Sequence, residues 1–463
     1  MKPILFVDLD ESLIKTDILR EQLLRSFAIS PWKTLKLLFG SRFRPERIKA
    51  AMADKVDIDP ATLPYNAEVL ALIHQAKNEG RLVVLATATH DHVARKIAKY
   101  LGVFDAVLAT TDTHNCKGAK KLKAMQNFAA GRPFDYVGDS RADLKIFKFT
   151  QTPYIVGGLA YSQPHQRISR PSIAKPLLKA MRPHQWAKNS LIFLPLLTSH
   201  RFTWQTILTS VFGFVCFSLA ASSIYLINDM VDVEDDRHHP EKKKRPFAKG
   251  DLTIDEGICL SFSLLATTIF LSYCWLPAGL WVLGSYIAIT FLYSFSLKTR
   301  PILDVFCLST LYAIRVFYGQ VINDIEPSPW LLEFCVFFFL SLAFMKRTTE
   351  IEKVTSKEQP LMTRRGYQIG DDFLLKVAGT ASGLLSILVL TLYINSDQVT
   401  ILYAYPDFLW GIAYILFYWK LRLWLITMRG SMNQDPVLFA LGDPVSYGIA
   451  SLVILFGILA KGL

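Results

Sequence analysis

Apolar positions change their spacing about a third of the way along the chain. Up to residue 160 they come in short runs (4–7, 82–86, 106–108, 136–137) set among segments such as 91–100 and 117–128 that read as helices. Short apolar runs alternating with helical stretches predict a parallel α/β sheet. From Met181 onward the runs approach the roughly 20 residues that a helix needs to cross a bilayer. They fall at 189–200, 205–227, 256–275, 279–295, 303–321, 330–345, 373–394, 401–419 and 445–461, the first of them short and interrupted by Pro195. The pattern predicts a soluble α/β domain over 1–160 and an all-α membrane domain of about nine spans over 181–463. Between them, 161–180 reads as a basic linker, with Pro164, Pro171 and Pro176 among Arg167, Arg170 and Lys175.

Charge adds an orientation. The segments 237–250, 298–300, 346–365 and 420–429 are rich in Lys and Arg, while 276–278, 322–329 and 395–400 have none. The positive-inside rule puts the basic loops and the soluble domain in the cytoplasm of a bacterial-type inner membrane, and an odd span count leaves the C-terminus outside. The first ten residues hold too short an apolar run for a signal peptide, which agrees. Lys+Arg exceed Asp+Glu by 51 to 39, and because the excess sits beside apolar runs it points to membrane lipids and phosphorylated substrates and away from nucleic acid. Six scattered cysteines show no zinc or disulfide spacing.

The densest charge follows the 205–227 span, where the chain reads N-D-M-V-D-V-E-D-D-R-H-H-P-E-K-K-K-R-P from Asn228 to Pro246. In a continuous helix Asp229, Asp232 and Asp236 share a face. Two like charges about 4 Å apart repel by roughly 4 kcal/mol at an effective dielectric near 20, so such a set calls for a cation, and all-oxygen ligands suit Mg²⁺. Lys242 and Arg245 then offer an anion site beside a metal site. The stretch resembles the first aspartate-rich motif of the UbiA intramembrane prenyltransferase superfamily. Within it, Asp236 to Pro246 is similar to the polyprenyl-phosphate (decaprenyl-phosphate) phosphoribosyltransferase branch.

The soluble part carries a second constellation. Asp8-Leu9-Asp10-Glu11-Ser12 follows the first short run, Thr87 follows the second, Lys117, Lys120 and Lys121 come next, and Gly138-Asp139-Ser140-Arg141-Ala142-Asp143 closes the series. Carboxyl ends of parallel strands converge on one crevice. The order resembles the four motifs of the haloacid dehalogenase superfamily, with Ser12 where that family prefers Thr. The resemblance implies a Rossmann-like domain in which Asp8 is the nucleophile, Asp10 the acid and base, and Thr87 and Lys121 the phosphate ligands. Asp139 and Asp143 would join Asp8 around Mg²⁺. Which of the three lysines serves stays open. Residues 18–75 suit a small helical cap, and Phe27, Trp32, Leu35, Leu38 and Phe39 suit a membrane surface.

In the later spans, Tyr293 and Lys298 precede Asp304, and Arg315 follows eleven residues on, about 16 Å along a helix. Charges at membrane depth are usually functional. This stretch resembles the second UbiA motif, with a single aspartate where quinone-type members often have two. Arg182 to Asn189, including Trp186 and Lys188, resembles the first-span opening of the phosphoribosyltransferase branch. Lys346-Arg347, Arg364-Arg365-Gly366-Tyr367, Arg429-Gly430 and Asp435-Pro436 match that branch in outline.

Together the resemblances imply a bifunctional membrane enzyme. It would join phosphoribosyl diphosphate to polyprenyl phosphate at an Mg²⁺ site, with Asn228 also in the motif, and then remove the 5-phosphate to give polyprenylphosphoryl ribose for a cell-envelope glycan. A quinone-type prenyltransferase with a fused phosphatase, or a membrane-anchored phosphatase whose spans only bind lipid phosphate, are the competing readings. Association of several copies is compatible with any of them.

Overall fold

The computed structural model describes residues 2–355, 366–432 and 435–462. The chain divides into two compact units, Met1–Pro183 with Ser222–Leu264, and His184–Ala221 with Leu265–Leu463.

The first unit is built on six strands: β1 (Ile4–Val7), β2 (Val83–His90), β3 (Ala106–Thr110), β4 (Phe134–Gly138), β5 (Pro153–Val156) and β6 (Gln166–Ile168). All pair in parallel, in the order β3-β2-β1-β4-β5-β6. Central β1 is buried at all four positions, as a strand covered on both faces must be. Alternate residues feed opposite layers, Leu5 and Val7 joining Leu85, Val137 and Ile73 on one side, Ile4 and Phe6 joining Val84, Tyr136 and Met125 on the other. Helices α1 (Ile18–Ile29), α2 (Pro31–Gly40) and α3 (Pro45–Lys55) form the small cap after β1. The covering layers come from α4 (Ala67–Asn78), α5 (Asp91–Leu101), α6 (Ala119–Ala129) and α7 (Leu144–Phe147). The 161–180 segment departs from the linker reading. It holds β6, which pairs with β5 through Ile155↔Arg167, and α8 (Ala174–Ala180), whose Ala180 is buried among Leu226, Met230, Val233 and Phe247.

The remaining helices are α9 (Leu194–Ser199), α10 (Trp204–Val231), α11 (Val233–His238), α12 (Pro246–Lys249), α13 (Ile254–Trp275), α14 (Leu280–Phe295), α15 (Leu303–Ile322), α16 (Pro329–Thr355), α17 (Asp372–Ile394), α18 (Asp397–Leu402), α19 (Phe408–Met428), α20 (Pro436–Ala440) and α21 (Pro444–Lys461). Among the described residues eight helices are long and apolar enough to cross a membrane, and the protein is a multi-pass membrane protein. The expected span at 189–200 is not a regular helix. It is a 3-10 stretch, Pro183–Phe193, running into the six-residue α9, because Pro195 removes a donor and the run lacks length. Asn189 reaches Ser218 at 2.9 Å and Phe193 packs on Phe214, so the stretch runs antiparallel to α10. The stretch is not among the eight helices that are long and apolar enough to span, which is one fewer than the nine expected.

Two basic loops are shorter than the sequence implies. Lys346 to Thr355 continue α16, and Lys420 and Arg422 lie within α19, whose start is displaced past Pro406 to Phe408. Arg364 and Arg365 lie outside the described residues.

Candidate active sites of the two units

At the carboxyl end of β1, Asp8 caps the following turn and accepts from the Leu9 amide at 2.9 Å. Asp10 accepts from the Ile18 amide, at the start of α1, at 3.0 Å, and from the Thr89 hydroxyl at the end of β2. Beyond β4, Asp139 accepts from Ser12 at 3.1 Å, so the smaller hydroxyl still serves at that position. Buried Thr87 uses its Oγ1 to accept from the Thr89 amide at 2.9 Å. Of the three lysines, Lys121 meets the carboxylates, its Nζ 2.9 Å from Asp8 and 3.6 Å from Asp143, while Lys117 and Lys120 are exposed. Gly138 makes room for this packing: a Cβ there would meet the Tyr136 ring at 2.6 Å and the Asp143 carboxylate at 3.1 Å.

Oxygen atoms of Asp8, Asp139 and Asp143 lie within 4.8 Å of one another. Burial, followed by repulsion from Asp8 and Asp143, pushes the Asp139 carboxyl up to about 8. Burial also raises Asp8 in spite of Lys121. Three crowded, desolvated carboxylates are the donor set that a hard divalent cation relieves, so these residues fit Mg²⁺. Asp10 stands apart from that trio. Burial and then Asp17 push it up to about 7, which suits a group that gives and takes a proton near neutrality.

The acidic motif is less regular than a single helix. α10 ends at Val231 and α11 begins at Val233, with Asp232 in the break (φ −89°, ψ 11°), although the Asp232 amide still donates to Asn228 and that of Asp236 to Asp232. Arg245 Nη1 bridges Asp229 Oδ1 at 3.0 Å and Asp236 Oδ2 at 2.5 Å, and Arg182 also pairs with Asp229. Burial raises the Asp236 carboxyl despite Arg245. Lys242 Nζ lies 4.0 Å from Asp236. The donors remain oxygens of the kind Mg²⁺ takes, with arginine charge partly offsetting them.

In the second unit Asp304 and Arg315 take separate partners. Fully buried Asp304 accepts from Arg347 Nε at 2.5 Å and from the Tyr367 hydroxyl, and Arg347 also donates to Glu350 at 2.7 Å and Tyr293 at 3.2 Å. Arg315 donates to Asn189 Oδ1 at 2.8 Å and lies 5.1 to 5.5 Å from the ring centres of Phe217, Tyr286 and Tyr312. Asp435 accepts from Lys346 at 2.7 Å and Lys188 at 3.3 Å. Half-buried Lys298 lies in the turn between α14 and α15.

Sequence reasoning missed Tyr136 and Thr89. Tyr136 accepts from Lys121 and donates to Asp143, both at 2.9 Å. Its place inside an apolar run hid it, although a tyrosine buried in a strand needs a hydroxyl partner and so carries a signal. Thr89 follows Thr87 with the period of a strand, which was a sign that β2 continues.

Residues 5–148 match the family of haloacid dehalogenase-like hydrolases, and residues 190–427 match the UbiA prenyltransferase family. Uncharacterized protein y4nM of Sinorhizobium fredii is 35% identical over 97% of this chain and 89% of its own length. Nodulation protein NoeC of Azorhizobium caulinodans is 30% identical over 62% of this chain and 91% of its own. The decaprenyl-phosphate phosphoribosyltransferase of Corynebacterium glutamicum is 37% identical over 39% of this chain and 56% of its own. The chain belongs to the UbiA prenyltransferase family and carries, ahead of its membrane helices, a haloacid dehalogenase-like domain.

Proposed function

We propose that this enzyme transfers 5-phosphoribose from phosphoribosyl diphosphate to a polyprenyl phosphate and then removes the 5-phosphate. The observation that carries the reading is the similarity to the Corynebacterium phosphoribosyltransferase in a chain that also holds a phosphatase-like carboxylate cluster. In the first step an oxygen of the lipid phosphate attacks the anomeric carbon, the bond from that carbon to the diphosphate breaks, and diphosphate leaves. Asp229, Asp232 and Asp236, with Asn228 beside them, would hold Mg²⁺, which supplies charge against the diphosphate. Arg245, Lys242, Lys188, Lys298, Arg315, Lys346 and Arg347 are the cations assigned to phosphate oxygens. Tyr293 and Asp304 keep Arg347 oriented.

In the second step a carboxylate oxygen of Asp8 attacks the 5-phosphorus, the bond to the ribose oxygen breaks, and Asp10 gives that oxygen a proton. Asp10 then takes a proton from water, whose oxygen attacks the aspartyl phosphate and frees Asp8. Lys121 and Thr87 hold the phosphoryl oxygens; Asp8, Asp139 and Asp143 would hold Mg²⁺. Both steps are assigned to the cytoplasmic face of an inner membrane, in keeping with the remaining basic loops.

Mass spectrometry of lipids after incubation with polyprenyl phosphate, phosphoribosyl diphosphate and Mg²⁺ tests the reading. Wild type should yield polyprenylphosphoryl ribose, and Asp8→Asn should stop at the 5-phosphorylated lipid. Identical phosphorylation states in the two would sink the second step, and no pentose on the lipid would sink the first.

A further inference from the structure

Glu21 lies in the cap of the phosphatase-like domain, 216 residues from Arg237 in sequence, yet the two form a two-pronged ion pair. Arg237 Nη1 donates to Glu21 Oε2 at 2.9 Å and Nη2 to Oε1 at 2.6 Å, while Nε reaches the Ala248 carbonyl at 3.3 Å. Both side chains are 3% exposed. Thr16, in the loop before α1, donates to the same carboxylate. Glu21, Leu24 and Arg25 share one face of α1, and all three meet the acidic-motif segment: Leu24 packs on the Met230, Val233 and Phe247 cluster, and Arg25 pairs with Glu234. Arg20 reaches Asp255 at 2.7 Å. Gly250 lies so close to the phosphatase-like domain that a Cβ there would meet Lys15 at 2.7 Å and Pro64 at 2.9 Å.

We propose that Glu21 is a positioning residue for the transferase reaction: by gripping Arg237 it fixes α11 and so sets where Asp236 and Asp232 stand. The inference rests on the transferase reading above. α11 has six residues, too few to hold itself by its own hydrogen bonds, so its orientation is dictated by what it packs against. Arg237 is the next residue after Asp236. With Nε, Nη1 and Nη2 all engaged, its guanidinium has one geometry and is kept from competing for the neighbouring carboxylates. A purely apolar dock would secure the segment with less angular definition; a sealed bidentate pair fixes both distance and plane.

The experiment uses the full chain in lipid nanodiscs, as wild type, Glu21→Gln, Glu21→Asp and the exchange Glu21→Arg with Arg237→Glu. Hydrogen exchange across 230–250 is read together with the Mg²⁺ dependence of lipid-linked pentose formation and with hydrolysis of p-nitrophenyl phosphate. Glu21→Gln should speed exchange at 232–238 and raise the Mg²⁺ concentration for half-maximal transfer about 10- to 100-fold, the range for residues that orient metal ligands. Glu21→Asp or the exchange should recover part of both, and p-nitrophenyl phosphate hydrolysis should stay at the wild-type rate. Unchanged exchange at 232–238, or faster exchange with unchanged Mg²⁺ dependence, overturns the proposal. An equal fall in both activities, with loss of exchange protection throughout the chain, makes Glu21 a general fold contact and also overturns it. If wild type makes no lipid-linked pentose, the transferase reading fails by itself, and the positioning role falls with it even where exchange at 232–238 shows the clamp.

Discussion

Lys121 Nζ sits 2.9 Å from Asp8 Oδ2, with the lysine 2% and the aspartate 7% exposed. Burial depresses the lysine, but Asp8 and Asp143 outweigh it and hold Lys121 above its ordinary range, so it stays charged throughout the useful pH span. Lys121→Ala should therefore leave three crowded carboxylates and a phosphoryl group without their fixed cation. Hydrolysis of p-nitrophenyl phosphate should fall by about 10²- to 10³-fold, the usual cost of one charge-stabilising donor. A rate within a few fold of wild type would move the role to another lysine.

Asp229→Asn and Asp232→Asn each remove a carboxylate from the acidic motif and leave the Asp8 cluster intact. Lipid-linked pentose should disappear while p-nitrophenyl phosphate hydrolysis continues. Normal transfer at saturating donor in either variant would contradict the metal assignment.

Asp435 ties stability to pH. Burial pushes its carboxyl up, but Lys346 and Lys188 outweigh that and hold it well below the usual carboxylate range. A group depressed in the folded state stabilises at pH values above its unfolded value, near 4, and loses that contribution as the pH falls through the folded value. Asp435→Asn should thus lower Tm in detergent at pH 7, and the gap to wild type should narrow as the pH drops below about 4. A gap that widens in acid would show that the lysines do not hold the carboxylate charged.

Gly319 on α15 faces the Pro183–Phe193 stretch so closely that a Cβ would stand 2.2 Å from the Ile192 carbonyl oxygen. Backbone cannot give way as a flexible side chain can. Gly319→Ala should cost about 1–3 kcal/mol or more, read as a lower Tm, and Gly284→Ala, where a Cβ meets nothing within 4 Å, serves as control.

Much of the fold was written locally. β1 coincides with the 4–7 run, and the cap helices start just after Asp17 and on Pro31 and Pro45, because caps and prolines act on their immediate neighbours. Pro195 already marks the 189–200 run as interrupted, and the structure breaks it there, whereas in 401–419 Pro406 moves the helix start to Phe408 within a run that hydropathy alone sees as continuous. The partners of the candidate residues were beyond sequence reading. Lys188 and Asp435 are 247 residues apart, and nothing in either neighbourhood announces the other. The same holds for the choice of Lys121 over Lys120, which depends on which face of α6 turns toward β1 and β4.

α10 is longer than a bilayer is thick. Its 28 residues extend about 42 Å, against a hydrocarbon core of about 30 Å. The surplus of roughly 12 Å is taken up by tilt or by projection into the headgroup layer. Asn228 and Asp229, whose carboxylate Arg182 and Arg245 share, belong to the last turn of this overlong helix. If the proposed reaction holds, a helix that overshoots the hydrocarbon lets the lipid phosphate stay with its apolar tail while the sugar diphosphate stays in water.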